Sequence, residues 1–556
     1  MYTGWNLLLI VAVLGGQSAG AFWPFHGISN VVSADTPEPE LELEPEVYDP
    51  TKRVAIIGAG ASGSSTAYYL QQFAEKSGVP VNITVFEKSH YVGGRSTTVN
   101  AYGNPLERVE LGASIFVEVN DILKNASRKF GLRAKDSETE SDDLLGIWDG
   151  EKFVFTQKDS GWKWWDVTKI LWKYGTAPIR TQRLMQSTVG RFRQLYAPPF
   201  FPFKSLSDRA LDLDLISVTS LTGEQYLANN SIGASYATDI IQASTRVNYG
   251  QNLNLIHGLE TMVCMAIEGA MQIDGGNWQI FDGMLKASKA TVNLNSTVSS
   301  ISKHKGKYNI KTTSQNATTG EASINQALFD TIVLASPLQY SGIEIEDGLL
   351  KHTPDNIPYV TLHVTLFASS RTLDRTFFNL GPGSQVPTSV LTTLQPDQIP
   401  SDPEKPCGKP GFFSISLLRK IINPETLEVQ NLYKVFSPHS LDSEFLSAIL
   451  GVPIPKNLSS ITATSGDAIS WYYPHVWHSY PYEYPRVTFE DSALANNFYY
   501  TSGMESFIST METMALMGMN VAQLVVDELN EVLEAVKEPV QQVLGSHDKQ
   551  SPLDEL

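Results

Sequence analysis

Cysteine and basic residues are scarce in this 556-residue chain. Its only cysteines, Cys264 and Cys407, exclude a disulfide scaffold, a CxxC redox centre and a cysteine metal site. The sequence does not fix whether the two form one disulfide. The 41 Lys and Arg stand against 59 Asp and Glu, which gives a net charge of −18. Because nucleic-acid binding rewards a basic face, we expect no nucleic-acid partner. We also expect no metal.

No long hydrophobic run opens the chain either. The apolar run at residues 7–14 is too short to span a bilayer. Small residues ending at Ala21 follow it, as in a secretory signal peptide, although no Lys or Arg precedes it. A buried or anchoring segment is the alternative. Residues 35–50 are rich in Pro and Glu and predict a solvated, disordered linker. We therefore expect a signal peptide at 1–21 and an acidic linker at 22–51.

The N-x-S/T sequons support secretion. One more sequon starts at Asn82, at the beginning of a predicted buried strand, so no glycan is expected there. The last four residues, LDEL, resemble the KDEL retrieval signal. We expect the secretory pathway, with a lysosomal, vacuolar or extracellular destination and endoplasmic-reticulum retrieval as an alternative. The expected glycosylation sites are Asn125, Asn229, Asn295, Asn316 and Asn457.

Residues 53–95 carry the main motif. A β-branched run at 53–57 predicts a buried strand, and Gly58, Gly60 and Gly63 follow in GxGxxG spacing before a predicted helix at 64–73. These glycines allow a tight turn, the approach of backbone to a pyrophosphate and close helix–strand packing. A second strand at 82–86 ends in Glu87, which can accept hydrogen bonds from a ribose. The stretch predicts a Rossmann-like α/β domain that binds a dinucleotide.

Two further glycine elements favour a flavin over a nicotinamide cofactor. Gly94 and Arg95 close a GGR element, and Gly112, Ala113 and Ser114 form a second element. Both look like elements of flavoproteins in the amine-oxidase-like superfamily. The glycines allow close approach to the cofactor, and Arg95 can pair with pyrophosphate.

Six segments resemble the prenylcysteine oxidases, FAD-dependent thioether oxidases of the secretory pathway that are described as lysosomal in animals. They are spread over residues 52–530 and read VAIIGAGASGSSTAYYL, FEKSHYVGGR, RVNYGQ, DGGNWQIFDGMLKAS, WHSYPYEYP and NFYYTSGMESFISTMETMALMGMNVAQL. The resemblance implies an FAD-binding domain at 52–118, 246–344 and 491–530. It implies a discontinuous substrate domain, with an antiparallel sheet and helices, at 119–245 and 345–490. Residues 531–556 are expected to form a tail.

The reaction implied by this resemblance is oxidative cleavage of S-farnesyl- or S-geranylgeranyl-cysteine. Hydride leaves the allylic carbon beside sulfur for the flavin, water adds, and the product collapses to a prenyl aldehyde and cysteine. Dioxygen then reoxidises the flavin and yields hydrogen peroxide. Because the cofactor carries the chemistry, no catalytic triad is expected.

The resemblance also places residues around the flavin. Val298 is expected at the adenine end, and Gly503 and Met504 near the flavin. The next helix, with Ser509 and Glu512 in capping-box spacing, is expected to run to about residue 529 and to stabilise the anionic reduced flavin. His475 and His478 are the candidate acid/base residues, although surface or structural histidines are the alternative.

Aromatic stretches are the candidate walls of an apolar channel for the prenyl chain. They are residues 162–172, 196–203 and 471–484, and ordinary core packing or a membrane- or lipoprotein-facing lip is the alternative for the first two. Two other functions stay open: an amine or polyamine oxidase of the same superfamily, and a non-catalytic prenylcysteine binder of the Rab-escort type.

Overall fold

The computed structural model describes residues 49–136, 144–158, 170–315, 322–399, 406–463 and 468–547. The expected signal peptide, nearly all of the acidic linker, Asn316 and the last four residues lie outside these ranges. Contacts divide the chain into residues 1–49 and 50–556, and every element named below belongs to the second unit. Among the described residues, no helix is both long enough and apolar enough to cross a membrane.

Strands and helices alternate at first and give way to longer strands in the second half of the chain. The strands are β1 Lys52–Ile57, β2 Val81–Phe86, β3 Thr98–Asn100, β4 Arg108–Glu110, β5 Ala134–Asp136, β6 Leu144–Trp148, β7 Phe153–Lys158, β8 Met271–Ile273, β9 Thr291–Asn293, β10 Ser296–His304, β11 Lys307–Gln315, β12 Ala322–Phe329, β13 Thr331–Leu334, β14 Glu344–Ile345, β15 Tyr359–Ser369, β16 Ser389–Thr392, β17 Ser414–Ile422, β18 Val429–Ser437, β19 Ile469–Pro481, β20 Ala493–Ala495 and β21 Phe498–Tyr500. The helices are α1 Ala61–Ser77, α2 Asp121–Lys129, α3 Ala177–Phe192, α4 Leu206–Asp212, α5 Ile216–Thr219, α6 Gly223–Asn229, α7 Ala234–Tyr236, α8 Gln242–Tyr249, α9 Gly258–Cys264, α10 Trp278–Ala287, α11 Ser443–Leu450 and α12 Met511–His547.

The first sheet is the predicted dinucleotide-binding sheet. Its six strands lie in the order β20-β21-β13-β1-β2-β9, and only the β20–β21 pair is antiparallel. The β-branched strand β1 lies in the middle with its four C-terminal residues buried, as its composition predicts. Because β13, β20 and β21 come from late in the chain, the domain is discontinuous in sequence. The predicted Rossmann-like α/β fold is confirmed.

Helices α1 and α12 pack against each other beside this sheet. The Ser65 hydroxyl donates to the Ala515 carbonyl at 2.6 Å, and Val521, Ala522 and Val525 share a buried cluster with the sheet residues. This packing brings the N-terminus of α12 to the carboxyl end of β1. Since parallel strands bind ligands at that end, α12 begins beside the expected cofactor site.

A second, seven-stranded sheet confirms the predicted antiparallel sheet. Its order is β19-β15-β18-β17-β16-β6-β7, and only the β16–β6 pair is parallel. Strands β6 and β7 come from residues 144–158, so both parts of the expected substrate region contribute. A four-stranded sheet, β12-β11-β10-β14, packs below the first sheet through Ile301, Tyr308 and Phe329.

Three local expectations need correction or completion. Helix α12 continues to His547, well beyond the predicted end near residue 529. The side chain of Asn82 is exposed on β2, so burial does not argue against a glycan there. Cys264 and Cys407 are both buried and free, which answers the question that the sequence left open.

Candidate cofactor and substrate cavity

A cavity of about 1350 Å³ lies between the two large sheets. Its wall begins at Gly58 and Glu87 in the first sheet, passes the first turn of α12, and ends at Leu362 and Trp477 in the second sheet. Ligand pockets commonly measure about 300–1,000 Å³. The cavity therefore has room for more than one drug-sized molecule.

The glycine motif is built as its spacing predicts. A Cβ on Gly63 would lie 1.9 Å from the Gly58 carbonyl oxygen, so only glycine lets α1 pack this close to the turn after β1. Glu87 is buried, and its two carboxylate oxygens accept the Ala59 and Ser89 N–H groups, each at 2.8 Å. Glu87 thus fixes the phosphate-binding turn as well as presenting lone pairs to the cavity.

The second glycine element also lines the cavity. A Cβ on Gly112 would lie 1.8 Å from the Arg95 carbonyl oxygen, so this contact between the two loops requires glycine. Ala113 and Ser114 follow in the same wall. Lys434 on β18 reaches this loop and donates to the Glu110 carbonyl at 2.9 Å and to the Ser114 hydroxyl at 2.8 Å.

Lys434 and Glu110 form a buried pair of titratable groups in the cavity wall. Burial lowers the pKa of Lys434 to about 8, and the nearby Glu110 opposes this shift. Burial likewise raises the pKa of Glu110 to about 7, while the Asn277 N–H and Lys434 oppose it. The wall therefore holds a buried amino group with a lowered pKa beside a carboxyl group with a raised pKa, at a position that no sequence motif predicted.

Arg95 faces a buried carboxylate at the edge of the cavity. Its guanidinium lies 2.8 Å from Glu505, whose side chain is 1% exposed. The same guanidinium donates to the Ser479 carbonyl, and the Tyr359 hydroxyl donates to Glu505 at 3.2 Å. The pairing of Arg95 with pyrophosphate stays a prediction, because its principal partner in this structure is Glu505.

The first turn of α12 lines the cavity, as expected of a helix N-terminus that stabilises negative charge. The predicted capping box of Ser509 and Glu512 is wrong. Thr510 and Thr513 cap the helix, each side-chain oxygen accepting the other residue's N–H at 3.1 Å. Glu512 instead accepts two N–H groups at the start of α2, at 2.9 and 3.0 Å. Its carboxylate joins two helix N-termini, which sequence spacing cannot reveal.

Part of the cavity lining is apolar. Among the predicted aromatic stretches, Tyr196 and Trp477 line it, and Phe192 adds a ring that was not predicted. Trp172 does not contribute, because its side chain is 92% exposed. Residues 162, 164 and 165 lie outside the described ranges. Tyr480, which belongs to the predicted stretch 471–484, also lines the cavity, and further apolar lining comes from Val189, Leu362, Val364 and Ile508.

Neither histidine candidate reaches the cavity. His478 is exposed and stacks on Tyr340 with ring centroids 4.4 Å apart, because its neighbours Trp477 and Ser479 take the cavity-facing positions of β19. His475 lies farther along the strand, against Trp477. The acid/base role of both histidines stays a prediction, and their placement outside the cavity lining does not support it.

Besides Gly63, three expected cofactor residues lie outside the cavity lining. Val298 packs in the core with Ile57, and Met504 packs with Phe507. Gly503 borders a separate cavity of about 100 Å³ beside Glu490. Any contact with a cofactor would come from the backbone of these residues, so their assignment stays a prediction. Gly58, Gly60, Glu87, Gly94, Arg95, Gly112, Ala113 and Ser114 do line the main cavity, whereas Gly63 stands behind it.

These residues fit FAD. The turn after β1 and the start of α1 offer N–H groups for a pyrophosphate, and Glu87 lies beside them with lone pairs for a ribose. Gly60 and Gly94 place no side chain between their two loops, and a Cβ added to Gly94 would lie only 3.3 Å from the Gly60 Cα. The α12 N-terminus supplies a positive pole farther along.

Comparison with known proteins identifies the family. A family model described as prenylcysteine lyase matches residues 157–538. The chain belongs to the prenylcysteine lyase family. A second model, an NAD(P)-binding Rossmann-like domain, matches residues 56–129. The chain is 27% identical to farnesylcysteine lyase of Arabidopsis thaliana, over 86% of this chain and 89% of that protein. It is also 27% identical to prenylcysteine oxidase 1 of Homo sapiens, over 86% of this chain and 90% of that protein.

Solved structures show the same fold outside the prenylcysteine lyase family. A triple mutant of putrescine oxidase covers 86% of this chain and 99% of its own, with 16% identity and a TM-score of 0.51. Cyclohexylamine oxidase from Brevibacterium oxydans covers 87% of this chain and 100% of its own, with 15% identity and a TM-score of 0.51. At such low identity the likeness concerns architecture alone.

Proposed function

We propose that this protein is an FAD-dependent oxidase that cleaves the thioether of S-prenylcysteine. The main support is the prenylcysteine lyase match over residues 157–538. This range includes the apolar part of the cavity and the closing segment, residues 497–524. The relatives named for farnesylcysteine and prenylcysteine support the same substrate class. The cofactor is FAD, held by the fingerprint turn and Glu87.

When bound, FAD supplies a hydride acceptor. Hydride leaves the allylic carbon of the substrate, and the sulfur lone pair and the adjoining double bond stabilise the resulting cation. Water then adds to this carbon, and the hemithioacetal collapses to a prenyl aldehyde and cysteine. The products with dioxygen are the aldehyde, cysteine and hydrogen peroxide.

The protein contributes position and dryness to this reaction. Leu362, Val364 and Trp477 give the prenyl chain an apolar wall, and burial of each CH₂ is worth about 0.8 kcal/mol. The α12 N-terminus stabilises negative charge that develops beside it. The ion pair between half-buried Arg95 and buried Glu505 fixes the loop after Gly94 against the closing segment.

Substrate turnover tests the proposal directly. Purified protein carrying FAD should release hydrogen peroxide and prenyl aldehyde with S-farnesylcysteine. A saturated analogue of equal length should bind and inhibit without turnover, because it lacks the double bond that stabilises the cation. Equal turnover of both compounds would rule out the allylic mechanism. Preference for a small polyamine would indicate an amine oxidase, and prenylcysteine binding without flavin absorbance would indicate a non-catalytic binder.

Strand β15 offers a matched pair of variants. Leu362 and Leu366 are both buried on the same face, but only Leu362 lines the cavity. Each change to Ala should lower the free energy of unfolding by about 2–5 kcal/mol. Only Leu362→Ala should raise KM for farnesylcysteine or shift the preference between farnesyl and geranylgeranyl chains.

We also propose that the protein acts in the secretory pathway and touches lipid peripherally. Exposed sequon asparagines at Asn125, Asn229 and Asn457, and a half-buried one at Asn295, support access of the glycosylation machinery. Trp172, 92% exposed beside Leu171, supports contact with a lipid surface. Vesicle co-sedimentation that Trp172→Ala leaves unchanged would remove this support.

A further inference from the structure

Two glutamates are buried behind the cavity wall. Glu260 on α9 and Glu483 after β19 are 0% and 1% exposed. Glu260 Oε2 accepts the Ser509 N–H at 3.2 Å. Glu260 Oε1 and both carboxylate oxygens of Glu483 have no hydrogen-bond partner among the described residues. Two ionised carboxylates, buried side by side without partners, would be strongly unfavourable. The pair must therefore bind a cation or a proton that satisfies these oxygens.

His257 lies against this pair, and its hydrogen bonds indicate whether a metal ion or a proton satisfies the carboxylate oxygens. One ligand atom from each of His257, Glu260 and Glu483 lies within 4.8 Å of the others. However, His257 Nδ1 accepts the Glu260 N–H at 3.1 Å, so in the neutral ring the hydrogen is on Nε2. Nε2 lies 3.4 Å from Glu483 without a formed hydrogen bond among the described residues, and because it carries this hydrogen it is not a metal ligand. The arrangement therefore favours a proton between the carboxyl groups.

The surrounding charges also favour protonated carboxyls. Burial raises the pKa of Glu260 to about 8, and the neighbouring Tyr249 and the Ser509 N–H oppose this shift. Burial and then Glu260 raise the pKa of Glu483, Arg486 lowers it and Glu505 raises it. Burial lowers the pKa of His257 to about 3, so this ring supplies no positive charge. The thiol of Cys264 also faces Glu260.

Tyr249 connects the pair to the cavity. Its ring lies in the cavity wall, and its hydroxyl donates to the Ser509 carbonyl at 3.2 Å and contacts Glu260. The Tyr480 ring meets it edge-on at 5.0 Å and keeps it in place. Ser509 also lines the cavity. A proton can therefore pass from Glu260 to the Tyr249 oxygen while the tyrosine releases into the cavity the proton that it shares with the Ser509 carbonyl.

The proposed oxidase reaction needs such a proton. Reduction of dioxygen to hydrogen peroxide takes two electrons and two protons, whereas the hydride taken from the substrate carries two electrons and one proton. We propose that the buried pair of Glu260 and Glu483 supplies the second proton through Tyr249 during reoxidation. The proton released when water adds to the next substrate molecule restores the pair, so atoms and charges balance over the cycle.

Rapid reoxidation of reduced holoenzyme tests this proposal. The proposal rests on one part of the proposed function, the reaction of FAD with dioxygen. It does not depend on the prenyl substrate, because dithionite can reduce the flavin instead. Glu260→Gln, Glu483→Gln and Tyr249→Phe should each slow reoxidation at least about tenfold, and added small weak acids should restore the rate. In the unaltered protein the rate should fall as pH rises above about 8, where Glu260 loses its proton. Asp239→Asn is the control, since Asp239 is a buried carboxylate that pairs with Lys173 and lies outside the cavity lining.

The outcomes separate this proposal from the proposed substrate. Unchanged reoxidation in Tyr249→Phe, which keeps both carboxyls and the fold, overturns the proton route. Slow reoxidation that weak acids do not restore indicates a structural defect and also overturns it. A stoichiometric amount of metal in the purified protein would show that a metal ion, not a proton, lies between Glu260 and Glu483, and would overturn the proposal. Failure to turn over farnesylcysteine, with the reoxidation results as expected, would overturn the substrate alone.

Discussion

Glu87 should hold the fold of the fingerprint turn as well as the cofactor. Its two oxygens accept the Ala59 and Ser89 N–H groups at 2.8 Å. A hydrogen bond to a charged group contributes about 1.5–3 kcal/mol, so Glu87→Ala should lower the free energy of unfolding of FAD-free protein by about 3–6 kcal/mol. Glu87→Gln keeps one acceptor oxygen and should lose about half as much. FAD affinity should also fall, more in Glu87→Ala, where the ribose loses its acceptor, than in Glu87→Gln, which keeps one acceptor oxygen.

Two measurements separate these contributions. Urea unfolding of the FAD-free protein reports the turn, and titration with FAD, followed by flavin fluorescence, reports the ribose contact. Glu75→Ala serves as the control, since Glu75 is exposed and pairs only with surface partners, and it should change neither result. Weaker FAD binding at unchanged stability of the FAD-free protein would refute the structural part of the reasoning. Unchanged values in both measurements would refute the assignment of Glu87 altogether.

Three further predictions concern the whole chain. Burial raises the pKa values of Glu110, Glu260 and Glu512 to about 7, 8 and 7, so the folded state holds more protons than the unfolded state and stability is lost as pH rises towards these values. From pH about 6.5 to 8, above the range in which His257 opposes the trend, the free energy of unfolding should fall by up to about 1.4 kcal/mol per pH unit and group. Thermal unfolding should then occur at a lower temperature. In denaturant without reductant, both Cys264 and Cys407 should react with a thiol reagent, and fewer than two thiols would contradict their free state. Protein from a secretory host should lose mass on glycosidase treatment and lack residues 1–21, whereas an intact Met1 and unchanged mobility would contradict the secretory proposal.

The cofactor half of the site could be predicted because its contacts are local in sequence. Gly58, Gly63 and Glu87 act through backbone turns that a strand–turn–helix pattern already implies. Lys434 had a weaker signal, the single charge of strand β18, and its partner Glu110 lies 324 positions away. Such a pair depends on how two sheets meet, which periodicity does not encode. For the same reason the spacing of Ser509 and Glu512 was misleading, since Glu512 caps a different helix.

The buried glutamates show why residue type alone does not identify the acid/base groups of this chain. Histidine is the usual acid/base candidate in a sequence because its ordinary pKa lies near neutral pH. In the folded chain burial reverses the order: the pKa of His257 falls to about 3, whereas that of Glu260 rises to about 8. A carboxyl group then becomes the proton donor available near neutral pH, and the imidazole becomes a neutral hydrogen-bonding group. Since only three-dimensional burial sets this order, a search for acid/base residues in this family should start from glutamates enclosed beside the cavity, with Tyr249 marking where their proton can emerge.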